Sequence, residues 1–352
     1  MAISSVRLQN FRSYSDESFE FEPGVNIIVG PNASGKTNLL EAVLVLARGN
    51  SYRVKDAELV QFNKPWARLD SFFEKQKRVV KIEEKNAKPE KTYELDDKIY
   101  KRLSLDKTTP AVYFEPNHLQ FITRGPDQRR DFIDDLLERS QPGFKTLSAN
   151  YRRVLAQRNS LLKHDVHFAK SQLFAWNVRL SELGTKIAES RAGLIAEINK
   201  DISKSYSKIS RKKSKVEVFY DSQFPIEHYA SKLLNKLESN TQVDLERGFT
   251  AYGPHRDDIS FYLNEQPMGQ TASRGETRSL VLALKIYELE LIEKTRGQKP
   301  IFLLDDVFSE LDGARRHSLV DYLKNHQTII TTTDADAIIE HFTDANKIIP
   351  LI

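Results

Sequence analysis

The 352-residue chain contains no cysteine. That absence excludes a disulfide framework, a thiolate zinc site and a cysteine nucleophile, and it points to a reducing compartment. No stretch approaches the roughly 18 consecutive apolar residues that span a bilayer, and Met1 to Asn10 lacks the apolar core of a signal peptide. A soluble, cytoplasmic protein with no membrane partner is therefore expected. Elements that read base sequence are missing too: there is no paired-cysteine finger, no basic zipper and no aromatic ribonucleoprotein motif. Any nucleic-acid recognition should go by backbone and shape.

What is present is 39% hydrophobic residues, enough to build the core of one large domain or two ordinary ones. The formal net charge of +4 is unevenly spread, because Arg124 to Arg247 holds 23 Lys and Arg against 16 Asp and Glu. This middle part carries about +7 and the remainder about −3, an asymmetry that suits either a polyanion or a solvated helical face.

Gly30-Pro31-Asn32-Ala33-Ser34-Gly35-Lys36-Thr37 fits the pattern G-x-x-x-x-G-K-[ST] without a mismatch. Its setting adds specificity. Val25-Asn26-Ile27-Ile28-Val29 before it reads as a short buried strand, and Thr37 to Leu46 after it reads as a helix. In such a loop, backbone N–H groups and the positive end of the helix face the β- and γ-phosphates. Lys36 reaches those phosphates, and the Thr37 hydroxyl is placed to ligate magnesium.

Ahead of this loop, Ile3 to Leu8 and Phe19 to Phe21 read as strands, and the turn between them carries Arg12 and Tyr14, a cation and an aromatic suited to a nucleotide's phosphates or base. Arg68 to Lys101 reads as antiparallel strands with charged turns, and Ala111 to Phe114 as a further apolar strand. From Asp127 to about Asn240 helical spacing dominates. The block is too short for a long coiled-coil arm, since even two helices of about 50 residues would each reach only about 75 Å. Within it, Arg211, Lys212, Lys213 and Lys215 crowd five positions before a strand and are the best candidates for phosphate-backbone contacts with DNA.

The C-terminal part returns to α/β texture. Ile301-Phe302-Leu303-Leu304 ends in Asp305-Asp306, and carboxylates at the C-terminal end of a buried strand sit where an open α/β sheet places its ligand. Asp305 would hold magnesium opposite Thr37, and Asp306 would polarise the attacking water. The two motifs lie at opposite ends of the chain, so the fold must make them neighbouring strands of one sheet.

Four elements then stand together: the phosphate loop, Ser273-Arg274-Gly275-Glu276 at a helix start, Leu303 to Asp306, and Ser309-Glu310-Leu311-Asp312. This set resembles an ABC-type ATPase, with Ser273 to Glu276 similar to the signature motif and Ser309 to Asp312 similar to the loop that crosses the dimer interface. With Leu8 to Tyr14, Glu41, and Thr250-Ala251-Tyr252-Gly253-Pro254-His255-Arg256-Asp257-Asp258, the chain is similar to the RecF family of bacterial recombination mediators, relatives of SMC proteins.

The resemblance implies an α/β fold, an ABC-type P-loop ATPase head with a mixed sheet and an antiparallel lobe, carrying an inserted mainly helical domain. The parts would be 1–123, 124–247 and 248–352. It further implies ATP and Mg2+ as cofactors, with catalytic Asp306 and Lys36 and metal-binding Thr37 and Asp305. Nucleotide contacts would come from Gly30, Pro31, Asn32, Ala33, Ser34, Gly35, Lys36, Thr37, Asn38 and Arg12, and from Ser273, Gly275 and Glu276 of a second subunit in an ATP-dependent homodimer. Expected partners are duplex and gapped DNA, single-stranded DNA as a further candidate, and mediator and recombinase proteins, with roles in recombinational repair, replication restart and the SOS response.

Three features depart from the ABC pattern. Gln327-Thr328-Ile329-Ile330-Thr331-Thr332-Thr333 carries no histidine at the end of the last strand, so a hydroxyl such as that of Thr331 would take its place. The catalytic carboxylate is the shorter Asp306, and the glutamine loop falls near Glu115-Pro116-Asn117. Slow hydrolysis by an ATP-binding switch is expected, not nuclease activity. For Gly253 to Asp258 the only reading is a sharp turn into a strand. The alternative function, the ATP-hydrolysing subunit of an ABC transporter, shares the nucleotide motifs but requires neither the basic helical insertion nor the antiparallel lobe.

Overall fold

The computed structural model describes residues 2–74, 76–85, 88–163, 166–323, 325–333 and 346–351. The architecture is mixed α/β with one parallel sheet, two antiparallel sheets and a large helical part. Two compact units are present, Met1–Leu119 with Lys208–Arg211 and Arg278–Ile352, and Gln120–Ser207 with Lys212–Thr277. The divisions thus fall near Gln120 and Thr277, where the sequence reading placed 124 and 247.

In the first unit the apolar runs become a parallel sheet in the order 346–350, 25–29, 328–332, 301–305, 111–114. Strand Val25–Val29 pairs Ile28 with Thr331, and Thr331 pairs in turn with Asp305. This register is what brings the two ends of the chain together. A six-stranded antiparallel sheet runs in the order 14–20, 3–11, 66–73, 76–85, 88–95, 98–100. Gln327 joins the two sheets: its Oε1 accepts from Ile3 N at 2.7 Å, and its Nε2 donates to Ile3 O at 2.7 Å and Glu22 O at 2.8 Å.

Helix Lys36–Arg48 packs against strands of both sheets. Its nine residues from Leu39 to Ala47 are all buried and eight of them are apolar, and a helix with apolar residues on every face is stable only when covered all round. The helix ends on Gly49, whose φ of +86° is open to glycine at little cost. Its last carbonyls are capped from outside the helix, because Arg78 Nη1 donates to Leu46 O at 2.9 Å and Ala47 O at 3.1 Å. Burial pushes the Arg78 guanidinium down to about 10, and it remains a cation at the helix's negative end.

The second unit contains helices Pro126–Ser140 and Phe144–Leu161, helix Val166–Ser210 up to Ser207, a sheet of strands 216–221, 258–263 and 266–267, and helices Tyr229–Ser239 and Thr241–Arg247. Strand Val216–Asp221 lies at the edge of that sheet. Its backbone is covered by helix side chains: Asn199 both donates to Val218 O (2.7 Å) and accepts from Val218 N (2.8 Å), and Ser203 does the same at Val216. Masking an edge in this way removes a template for intermolecular pairing. Among the described residues no helix is long and apolar enough to cross a membrane.

Candidate functional site

The phosphate loop is shaped by what its two framing glycines leave out. A Cβ on Gly30 would lie 2.6 Å from Ser34 Oγ and 2.7 Å from Leu351 O, and one on Gly35, at φ +98°, would lie 2.8 Å from the Tyr14 hydroxyl. Tyr14 OH in turn donates to Gly35 O at 3.0 Å. Lys36 is buried, and its Nζ donates to Gly30 O at 2.7 Å and Pro31 O at 2.8 Å, so the ammonium lies inside the curl of the loop. Ser34 Oγ is buried without a hydrogen-bond partner, an orphan polar atom within the same curl. Such a cradle, at the start of a 13-residue helix, fits a polyphosphate.

The residues predicted to hold the metal converge on one carboxylate. Asp305 Oδ1 accepts from Thr37 Oγ1 at 3.0 Å and from Thr331 Oγ1 at 2.7 Å, and Oδ2 accepts from Tyr113 OH at 3.1 Å. Thr37 lies 268 positions from Asp305 in sequence, and the parallel register puts them side by side. A hard oxygen set of one carboxylate and a hydroxyl suits magnesium.

Asp306 leaves the strand with φ +52°, held there by its own N–H donating to Thr331 O and Oγ1 at 3.2 and 3.0 Å. Burial, and then the neighbouring charge of Asp305, push its carboxyl above the usual carboxylate range. Thr331, expected from sequence to replace a histidine, therefore fixes both aspartates through one hydroxyl.

Arg12 and Asn38 are placed differently from each other. Arg12 makes a fork with buried Glu41, Nε to Oε2 at 2.8 Å and Nη2 to Oε1 at 3.3 Å, and Ser51 donates to the same carboxylate. Asn38 Nδ2 donates to Ser13 Oγ at 3.0 Å, tying the 10–14 turn to the first helix. Sequence reading missed Tyr113, Tyr52 and Ser51; their only signal was adjacency to predicted elements.

Ser273 and Glu276 form a capping box. Ser273 N and Oγ both donate to Glu276 Oε2 at 2.8 Å, and Glu276 N donates back to Ser273 Oγ at 3.2 Å. These bonds hold the Glu276 carboxyl below its ordinary range. Gly275 sits in the first turn, at the positive end of helix Arg274–Arg296. Arg211, at φ +55°, and Lys212, Lys213 and Lys215 are exposed in the turn before strand 216–221, with Lys215 paired to Glu217 at 2.9 Å.

The segment Thr250 to Asp258 has a clear physical role in the second unit. Asp257 is buried and accepts from Tyr220 OH (2.5 Å), Tyr229 OH (3.0 Å) and Gln223 N (3.1 Å). Arg191 donates to Pro254 O at 2.6 Å while forking onto Asp134, and Arg129 forks onto Asp258. Gly253 is obligatory, since a Cβ there would lie 2.7 Å from the Tyr151 hydroxyl at a φ of +129°. The motif is the polar centre onto which helices and sheet are tied.

His255 belongs to that centre. Tyr151 OH lies 2.7 Å from Nδ1 and Thr250 O lies 3.2 Å from Nε2, the pattern of a neutral ring. Burial, with Arg256, Arg130 and Arg158 nearby, pushes its pKa down to about 4. The folded value lies below the ordinary 6.5, so the unfolded chain binds the extra proton between these limits and stability falls as pH drops from about 6.5 to about 4. His255→Gln is expected to flatten that part of the urea-midpoint profile; an unchanged slope would assign it to other groups.

Residues 2–349 match the family model described as RecF/RecN/SMC N terminal domain. It is 35% identical over 360 residues to the DNA replication and repair protein RecF of Lachnoclostridium phytofermentans, covering 100% of this chain and 98% of that protein. To its counterpart of the same description in Streptococcus uberis the identity is again 35%, with 99% and 97% covered. A solved structure of the recombination mediator protein RecF-ATPrS in the RecFOR pathway matches with a TM-score of 0.84 and 29% identity over 95% of this chain and 93% of that one. An Smc head bound to the C-winged helix domain of ScpA matches at TM-score 0.54 and 17% identity over 99% of this chain and 94% of that one, a likeness of fold.

Proposed function

Because the chain belongs to the RecF family of DNA replication and repair proteins, we propose that it is an ATP-dependent DNA-binding protein of recombinational repair that dimerises on MgATP. The observation that carries this reading is the convergence of Thr37 and Thr331 on Asp305 beside the Lys36 cradle. Loop N–H groups and Lys36 bind the β- and γ-phosphates, and Thr37 and Asp305 hold Mg2+, which when bound neutralises phosphate charge. Asp306, carrying a raised pKa, takes the role of base toward the attacking water. Turnover is slow, and hydrolysis serves to release the dimer.

The open side of the γ-phosphate is covered by Ser273, Gly275 and Glu276 of a second copy, whose capped helix start supplies a hydroxyl, N–H groups and a positive dipole end. Arg211, Lys212, Lys213 and Lys215 contact duplex or gapped DNA through phosphates. In the cytoplasm the dimer assists recombinase loading at single-strand gaps together with other mediator proteins, and acts in replication restart and the SOS response.

The test is fluorescence anisotropy of a labelled gapped duplex at one fixed salt concentration, with and without MgATP. Binding that appears with ATP and rises more steeply than first order in protein supports the reading, and no binding in either condition removes the repair role. Ser273→Arg is expected to bind ATP normally yet remain monomeric in light scattering; ATP-driven dimers of normal yield from this variant would show that Ser273 makes no contact across the dimer.

A further inference from the structure

Tyr113 lies outside every motif, yet its hydroxyl reaches the carboxylate at the centre of the nucleotide site. Strand Ala111–Phe114 pairs Tyr113 with Leu303, two residues before Asp305. Its hydroxyl lies 3.1 Å from Asp305 Oδ2 and 3.2 Å from Glu115 Oε2, and it shares a hydrogen bond with Tyr52 OH, the two rings being 4.0 Å apart. The residue is held at its other end as well: buried Lys285, paired with Glu288 at 2.9 Å, donates to Tyr113 O at 3.0 Å. The backbone carbonyl of Tyr113 is thus held by Lys285 and its phenol by the groups around Asp305.

The consequence concerns Asp305. Both hydroxyl donors from threonine, Thr37 and Thr331, address Oδ1, and Tyr113, its one proton shared between Asp305 Oδ2 and Glu115 Oε2, supplies the bond on Oδ2. A carboxylate with donors on both oxygens cannot turn about its Cβ–Cγ bond without breaking one of them. A tyrosine hydroxyl carries a proton to donate, and Asp305 Oδ2 accepts it. We propose that Tyr113 is a positioning residue for the metal-binding carboxylate, its hydroxyl fixing Asp305 Oδ2 so that Oδ1 stays turned toward Thr37. This rests on the MgATP reading of the site.

Tyr113→Phe removes the hydroxyl and keeps the ring that packs on Tyr52. The measurement is the affinity of a fluorescent N-methylanthraniloyl ATP across a magnesium titration, for the full chain. In Tyr113→Phe the magnesium concentration giving half-maximal tight binding is expected to rise about three- to tenfold, the order of one typical intramolecular hydrogen bond, while magnesium-free affinity stays within about twofold. In an Asp305→Asn background the same substitution should add no further shift. A merely structural role for Tyr113 would not make its effect depend on magnesium and on Asp305. An unshifted magnesium requirement, or an equal shift without the Asp305 carboxylate, overturns the proposal and leaves the nucleotide reading intact. Failure of the unsubstituted chain to bind nucleotide at any magnesium concentration overturns both.

Discussion

Lys36→Ala is expected to lower MgATP affinity by two orders of magnitude or more, about 3 kcal/mol, because it removes charge-assisted bonds to phosphate made by a buried ammonium. In the structure the ammonium is already inside the loop, 2.7 Å from Gly30 O and 2.8 Å from Pro31 O, so no rearrangement of the helix is needed to present it. The same variant should fail to dimerise with ATP, since the nucleotide is the proposed bridge between copies. Titration of a fluorescent ATP analogue and light scattering with and without MgATP measure the two effects separately. The far-UV spectrum should be unchanged, because Lys36 supports the loop and not the buried face of Leu39 to Ala47. Parental dimer yield from the variant would sink the scheme of an ATP-bridged dimer.

The largest stability effect is expected at Asp244. Arg158 and Asp244 are both fully buried and paired at 2.8 Å, and Arg158 also donates to Thr250 Oγ1 at 2.7 Å and Asn177 Oδ1 at 2.8 Å. Asp244→Ala leaves a guanidinium in a dry interior with two neutral acceptors, a loss of about 3–5 kcal/mol. Replacing both partners by apolar residues, Arg158→Met with Asp244→Leu, should cost less than the single change, because no charge is then stranded. Urea unfolding followed by circular dichroism gives both values. A single variant within about 1 kcal/mol of the parent would mean that water reaches Arg158 once the carboxylate is gone.

These two residues differ in how visible they were beforehand. Lys36 stands in a motif whose chemistry is local: glycines at fixed spacing, a lysine, a hydroxyl and a helix start are read within eight positions. Ser273 and Glu276 are similar, since a capping box needs only a serine and a glutamate three apart. Arg158 and Asp244 are 86 positions apart in helices whose pattern shows only that each has a buried face. Nothing in spacing distinguishes a buried, paired arginine from a solvated one. The Thr250 to Asp258 segment was legible as a motif and not as a hub, because its partners come from five helices and a strand.

The sequence by itself determined the strand, loop and helix around Lys36, the carboxylate-tipped strand at Asp305, and the need for one sheet to hold both. Each follows from short-range rules: apolar runs bury, glycines admit turns, and strand ends present ligands. Tertiary structure alone decided that Arg12 answers to Glu41, that Thr331 serves both aspartates, and that Tyr113, 192 positions from Asp305, fixes its second oxygen. A hydrogen bond depends on distances of about 3 Å, and for residues so far apart in the chain only the packing of whole strands and helices sets such distances.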